Sequence, residues 1–532
     1  MSWLRAVGLC ARLMGCLLAG ARPAPARRWL PAAVLLLVPF GYHAARRLTE
    51  PPPEPRVHDE FSYLLGAATL AQGRLANPPH PMRDFFEAPH VLQEPAYASK
   101  YQLGQAAFLA AGQVLFGHPH WGVVMGVALL CWATYWAVGL WTSRAWGLIA
   151  ALIAFAVFGA EHYWARSYWG GAVAFSGAML MAGGCRGLML GRAGAGWVMG
   201  AGAFLLVFTR PFEGAAVGVG LLLVLLRGSR LRKALLPLAA WGAAWAGAQA
   251  MHDRAVTGHP LRLPYLEYSR QYSSTPPLWI LPAGDGPRRL PTATLRRIHD
   301  WELTWLNQPE RPFPIALWKR FDFVLSTLRT DCSADAPLIL LLLFAAGVEA
   351  AALSLAVPIA LGLFALSLET WTLAHYAAPV AALLWVALFV ALSRLARWRR
   401  RGARAGAVLV LGVLVCLLVK PVLTSAARIA GWNRQAQPRS AIARLLAAQP
   451  GGHLVLVRRA PEASLHEEWV YNGPDIDAQR IVWAHDLGSA ANDRLLTYYR
   501  GRRIWVLEPE KKETGAPRLT AIQRSGPVNR SE

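Results

Sequence analysis

Trp121-Gly122-Val123-Val124-Met125-Gly126-Val127-Ala128-Leu129-Leu130-Cys131-Trp132-Ala133-Thr134-Tyr135-Trp136-Ala137-Val138-Gly139-Leu140-Trp141 runs the thickness of a bilayer without one charged residue. A helix needs about 20 mostly apolar residues to cross the hydrocarbon core. Comparable blocks follow at 146–163, 171–190, 197–209, 212–226 and 234–250, and again near 336–348, 350–368, 372–393 and 405–423. The pair within 197–226 is short and reads as tilted or broken. With an earlier block from Trp29 to Ala44, the spans number about eleven. The fold class expected is therefore an α-helical polytopic membrane protein.

Composition agrees. Of 532 residues, 55% are hydrophobic and only 16% charged, with the apolar ones gathered into long runs; a soluble chain of this length carries more charge. The formal charge of +23 comes from arginines in short links between apolar blocks. That placement follows the positive-inside rule, and no nucleic-acid-binding module accompanies it. Cys10, Cys16, Cys131, Cys185, Cys332 and Cys416 show no paired spacing, so neither a disulfide framework nor a cysteine metal site is expected.

Charge and span parity give one topology. Alternating spans put Ser143-Arg144, Arg186 to Arg192, Arg227 to Lys233 and Arg394 to Arg404 on the same side. These basic links mark the cytoplasmic face. The long segments 46–120 and 251–335, which mix both signs, then lie outside, as does the C-terminal tail. The basic segment 1–28 holds a signal-like or interfacial stretch at 3–20 that is not counted as a span. Within 46–120, Gly104 to Phe116 suits a helix lying at the interface. The tail, 430–532, changes character: 453–457, 480–484 and 503–507 read as strands, and 438–449 and 489–499 as helices. A small C-terminal α/β domain is expected outside, with its last twenty residues disordered.

The chemistry-bearing residues gather at outward-facing ends. His58-Asp59-Glu60-Phe61-Ser62-Tyr63 follows the first span, and further on stand Lys100-Tyr101-Gln102-Leu103-Gly104 and Glu161-His162-Tyr163-Trp164-Ala165-Arg166-Ser167-Tyr168-Trp169-Gly170-Gly171. Arg210-Pro211-Phe212-Glu213-Gly214 and His375-Tyr376-Ala377-Ala378-Pro379 complete the set. Ionisable groups at this depth are costly, so each is a functional candidate. Moving a sugar from a lipid phosphate needs a carboxylate to take the acceptor's proton and cations where charge grows on the phosphate. Asp59 and Glu60 suit the first need, and Arg210, Arg166, Lys100 and His375 the second. Tyr63, Tyr101, His162, Tyr168, Trp169, Glu213 and Tyr376 are the accompanying substrate-binding candidates. Adjacent residues on a helix diverge by about 100°, so one acid acts as base, Asp59 being favoured, and the other orients or supports it.

Plainer roles compete at each place. Arg210-Pro211 also suits a turn with Arg210 snorkelling to headgroups. Arg166 between Trp164 and Trp169 also suits an interfacial belt, and His375 a packing histidine. Gly170-Gly171 suits close helix packing, and Lys100 an ion pair with Glu94 or Glu87. Tyr471 to Asp477 lacks the spacing and closing glutamate of a calcium loop and reads as a turn. Two adjacent acids bind a divalent metal such as Mg²⁺ weakly, but no full ligand set is legible, and no cofactor is assigned.

The acidic pair Asp59-Glu60 followed by Tyr63, the amphipathic segment after it, the span count and the late His375-Tyr376 to Pro379 helix start resemble the C-type (GT-C) membrane glycosyltransferases. That superfamily includes protein O-mannosyltransferases and the transferases placing aminoarabinose on lipid A. The likeness covers 29–393 in layout, and the acidic pair is its specific part. The Lys-Pro-Pro-Leu-like stretch of such enzymes stands here as Lys100-Tyr101-Gln102-Leu103, without the prolines. Residues 167–171 and 210–214 are similar to stretches in other bacterial members. The resemblance implies a hexosyl or pentosyl transferase that inverts the anomeric centre, takes its sugar from a polyprenyl phosphate, and uses the first-loop acid as base. It further implies a bacterial inner-membrane location with catalytic face and tail periplasmic, and a glycan, lipid or protein acceptor from the cell envelope. A transporter or lipid flippase is the competing class, disfavoured by the lack of internal repeats. A non-catalytic envelope assembly protein is the other.

Overall fold

The computed structural model describes residues 30–226, 230–306, 312–347, 353–401, 403–433, 438–460, 463–509 and 516–522. The basic segment 1–28 lies outside them, as does most of the end expected to be disordered. Within that end, Arg518–Ile522 forms a strand, because it pairs antiparallel with the strand before it.

Each apolar block of the sequence is helical. In chain order the helices are α1 (Leu30–Arg46), α2 (His58–Ala71), α3 (Leu103–Phe116), α4 (His120–Trp141), α5 (Arg144–Ala160, its last turn π-helical) and α6 (Gly171–Met189). Then come α7 (Ala195–Thr209), α8 (Pro211–Leu225), α9 (Arg230–Thr257), α10 (Pro264–Tyr272), α11 (Ala293–Leu306) and α12 (Phe313–Asp331). Last are α13 (Ala336–Ala345), α14 (Ala356–Leu368), α15 (Ala378–Leu395), α16 (Ala405–Asn433), α17 (Pro438–Ala447) and α18 (Ser489–Tyr498). Among the described residues, α4, α6 and α15 are long and apolar enough to cross a membrane, while α1, α3, α5, α7, α8, α14 and the first part of α16 are shorter apolar helices.

Helix α15 is the pillar of the bundle. It is buried without interruption from Ala378 to Ser393, as expected of a helix apolar all round and encased by others. Trp385 on it packs with its neighbour Phe389 and with Phe158 of α5, which in turn meets Phe175 of α6. Proline sets the break between α7 and α8. Pro211 lacks the N–H that would continue α7, so the helix stops and Pro211 opens the next one. Arg210 is left between them with extended backbone, φ −142° and ψ 76°.

The outer layer holds α2, a two-stranded ribbon of β1 (Val91–Leu92) and β2 (Ala98–Ser99), helices α10 and α11, and the tail. In the tail β3 (His453–Val457) pairs in parallel with β4 (Ile481–His485) on one side and β5 (Arg503–Glu508) on the other, and β6 (Arg518–Ile522) closes the order β4-β3-β5-β6. One face of this sheet shares a core with the first outer segment: Leu454, Leu456, Val482, Ala484 and Ile504 are buried against Leu65, Phe85, Phe86 and Tyr97. Tyr97 donates its hydroxyl to the Asn472 carbonyl at 2.8 Å, and a ring nitrogen of His485 lies 2.7 Å from the Glu87 carbonyl. Arg439 of α17 donates to the carbonyls of Trp469 at 3.0 Å and Tyr471 at 2.9 Å, with its guanidinium 4.5 Å from the Trp483 ring.

Small residues let the helices approach. A Cβ added to Gly112 of α3 would sit 2.0 Å from the Gly122 backbone of α4, and one added to Gly122 would sit 2.0 Å from the Phe108 carbonyl. Backbone cannot give way as a flexible side chain can. Gly112→Val should lower the thermal unfolding midpoint in detergent through overpacking worth roughly 1–3 kcal/mol. The control Gly242→Ala, where nothing lies within 4 Å, should leave it unchanged. Equal midpoints for both variants would show that α3 and α4 do not meet this way.

Candidate active site

Helix α2 starts with an acid at each of two adjacent positions, and the structure separates their roles. Glu60 is the third residue of the helix, and its carboxylate accepts from the backbone N–H groups of Arg56 at 2.8 Å, Val57 at 3.4 Å and Tyr168 at 3.1 Å. The first two contacts cap the helix, whose orphan N–H groups need partners. The third ties it to the turn before α6. Burial pushes the Glu60 carboxyl up to about 7, against the pull of these backbone donors. Glu60 borders neither cavity described below and acts as a structural pin.

Asp59 is turned the other way, toward the larger of two neighbouring cavities, about 430 Å³ in volume. The Tyr101 hydroxyl donates to its Oδ1, His58 Nδ1 lies 3.0 Å from Oδ2, and His90 Nε2 lies 3.6 Å from Oδ1. Burial raises the Asp59 carboxyl, but His90, His58 and the hydroxyl of Tyr101 more than reverse that and hold it well below the usual carboxylate range. Burial also keeps His90 from taking a proton, so near neutral pH the charge it could lend Asp59 is weak and the Tyr101 hydroxyl matters more. Donor atoms of His58, Asp59 and His90 lie within 4.8 Å of one another. This nitrogen-rich set fits a borderline metal such as Zn²⁺ better than Mg²⁺, which prefers oxygen ligands.

The smaller cavity, about 330 Å³, is lined by Arg210, Glu213, Tyr63, Glu369 and apolar groups including Phe212, Leu266 and Leu278. Its wall with the larger one is shared: Lys100, Tyr101, Tyr265, Trp371 and Tyr376 border both. Arg210 is buried, its guanidinium carbon 3.9 Å from the centre of the Tyr376 ring. Among the described residues no ion pair or side-chain hydrogen bond engages it. A buried guanidinium outside any ion pair at a cavity wall has donors of the kind that suit an oxyanion, and Glu213 and Glu369 line the same cavity. Lys100 does not pair with Glu94 or Glu87. Those carboxylates belong to Arg83 and Arg289, and the Lys100 ammonium lies 4.5 Å from the ring of Tyr268, 4.9 Å from Tyr265 and 5.2 Å from Tyr101. Burial lowers it to about 8, opposed by Asp59 and Glu302.

The structure thus brings Asp59, Lys100, Tyr101, Tyr63, Arg210, Glu213, Trp169 and Tyr376 to the two cavities. The other candidates lie away from both. Arg166 is held by Glu50 at 3.4 Å and Glu161 at 3.3 Å, because α1 and the turn after α5 meet there. His162 has a ring nitrogen 2.8 Å from the Asp331 carbonyl, and Tyr168 donates to the Pro53 carbonyl at 2.6 Å. His375 stacks under Trp169 at 5.0 Å and lies 3.1 Å from the Tyr163 hydroxyl, so it supports the wall from behind. Gly171 is a packing glycine, since a Cβ there would meet Trp164 at 2.5 Å. Sequence reasoning missed His90, Tyr265, Tyr268, Trp301, Glu369, Trp371 and His466. The Pro, Tyr and Trp enrichment of 251–335 was the available signal for three of them.

No family model matches the chain, and no curated protein matches it. Among solved structures the chain is similar to ArnT from Cupriavidus metallidurans bound to undecaprenyl phosphate, at 13% identity and TM-score 0.45 over 90% of this chain and 91% of that one. It is also similar to the same protein in the apo state, at 12% identity and TM-score 0.46 over 95% and 93%. The apo oligosaccharyltransferase of Archaeoglobus fulgidus matches at 10% identity and TM-score 0.43, over 81% of this chain and 63% of that one.

The division of labour between the two acids is measurable by stability alone. Glu60→Ala leaves buried backbone donors without a partner and should lower stability by about 1–3 kcal/mol. Asp59→Asn keeps an acceptor for Tyr101 and should shift the unfolding midpoint far less. Matching shifts in the two variants would contradict the assignment of Glu60 as the pin.

Proposed function

We propose that this chain is an inverting glycosyltransferase that moves a sugar from a polyprenyl phosphate to an envelope acceptor on the outer face of the cytoplasmic membrane. The observation that carries the reading is the pair of cavities meeting at one wall. Among the described residues, one side offers Asp59 ion-paired to no arginine or lysine, the other offers Arg210 in no direct ion pair, with Glu213 and Glu369 lining the same cavity, and Lys100 stands between them.

That arrangement suits a single displacement. The acceptor hydroxyl lies in the larger cavity and gives its proton to Asp59 as its oxygen bonds to the anomeric carbon. The bond from that carbon to the phosphate oxygen breaks, and the lipid phosphate leaves with the electron pair. Arg210 and Lys100 receive the charge that grows on it. Attack and departure occur on opposite faces of the sugar, so the anomeric centre inverts. The apolar lining of the smaller cavity, with half-exposed Phe212 and Leu266, gives a lipid tail an apolar exit. About eleven spans, with the basic links cytoplasmic and the tail periplasmic, orient both cavities outward.

Native mass spectrometry of the detergent-purified full chain tests the reading. Wild type and Asp59→Asn should carry a polyprenyl phosphate or its sugar ester, and Arg210→Ala should lose at least about tenfold of it, the scale of a charge-assisted contact. Wild type should transfer the sugar in membranes and Asp59→Asn should not. A wild-type protein free of such a lipid, or an active Asp59→Asn, would sink the proposal.

A further inference from the structure

Beyond Asp59 the larger cavity becomes an aromatic box assembled from three distant parts of the chain. Trp301 comes from α11, Trp371 from the link between α14 and α15, and His466 from the tail loop between β3 and β4. The two indoles stack with centroids 5.2 Å apart and planes within 14°. His466 stands edge-on to Trp301 at 5.1 Å and 82° and reaches to 5.9 Å from His58, beside Asp59. Both tryptophans are only partly buried, and His466 is exposed, so these rings are wall rather than core. Polar groups share the box. Glu302 accepts from the Ser273 hydroxyl at 2.5 Å, and Arg320 donates to the Thr370 carbonyl at 2.8 Å, which fixes both side chains in the wall.

We infer that this box is the acceptor subsite, and that the acceptor it takes is the pyranose ring of an uncharged glycan. The inference rests on the transferase reading and names its acceptor class. A pyranose has an apolar face of C–H groups and a polar rim of hydroxyls. The indole pair offers a flat apolar surface for the face, and Glu302 and Arg320 offer a fixed acceptor and donor for the rim. Sites lined by aromatics with a few placed polar groups bind ligands of this kind. A densely phosphorylated acceptor fits poorly because, of the lysine and arginine bordering this cavity, Lys100 serves the donor phosphate at the shared wall and Arg320 is tied to a carbonyl. The tail therefore helps to choose the acceptor, through His466. Hydrogen bonds at the rim decide which hydroxyl meets Asp59.

The test uses the full chain in lipid nanodiscs and fluorescently labelled probes: neutral oligosaccharides of hexoses and N-acetylhexosamines, an acidic oligosaccharide, and an unstructured peptide. At least one neutral oligosaccharide should bind. Trp301→Leu should weaken it about tenfold, Trp301→Phe should restore most of the loss by restoring a ring face, and Arg210→Ala should leave it unchanged. Native mass spectra of the same samples should show the lipid phosphate retained in Trp301→Leu. If that variant also loses the lipid, His466→Ala at the exposed ring decides in the same way. With the lipid phosphate bound, a wild type that ignores every neutral saccharide, or prefers the peptide or the acidic glycan, overturns the acceptor assignment and leaves the transferase standing. A wild type without the lipid phosphate removes the transferase instead.

Discussion

One buried carboxylate accepting three backbone N–H groups organises the reactive end of this molecule. Glu60 caps α2 and ties its start to the Tyr168 backbone, so the helix can neither rotate nor slide at that point. Because neighbouring helical residues diverge by about 100°, fixing Glu60 inward fixes Asp59 toward the cavity. Asp59 is aimed by its neighbour. Removing the pin would leave Asp59 present but unaimed, and misplacement of about 1 Å is enough to cost a catalytic group much of its effect.

The second half of the site depends on a break. A continuous helix through 195–225 would carry Arg210 along its surface. Pro211 ends α7 instead, and the isolated arginine packs face-on against Tyr376. Tyr376 itself sits just before the Pro379 start of α15, the buried pillar. Arg210 thus rests on a ring that lies just before the helix buried along nearly its whole length. Lys100 joins the two halves from the link before α3, screened by its neighbour Tyr101 and by Tyr265 and Tyr268 of α10.

The tail is part of this machine rather than an appendage. One face of its sheet packs on a core drawn from the tail alone, with Val455, Val457, Trp483 and Leu507 buried with Leu446 of α17, and the other face packs on Phe85, Phe86 and Tyr97 of the segment 46–120. Arg439 holds the following loop by two carbonyls and an indole face. The loop then reaches back to the start of α2, where Glu467 bridges Val57, and delivers His466 to the cavity rim.

Hydropathy located the apolar helices, because burial in an apolar phase acts on every residue of a span and leaves a signal about 20 residues long; α10, α11 and α12 lie in 251–335, which it read only as a polar segment. β3, β4 and β5 of the tail were legible for a similar reason, as runs of Val, Leu, Ile and Trp between turns, whereas β6 falls in the end expected to be disordered. The acids at 59 and 60 and the arginine at 210 stood out because charge is expensive where they lie. Only the tertiary structure decided which acid faces the cavity. It also took Arg166, His162, Tyr168 and His375 out of the site, and brought in His90, Tyr265, Trp301, Glu369 and His466. Those assignments depend on which helices touch and at what rotation. Side-chain packing between segments up to several hundred residues apart sets both, and no local pattern in the sequence records it.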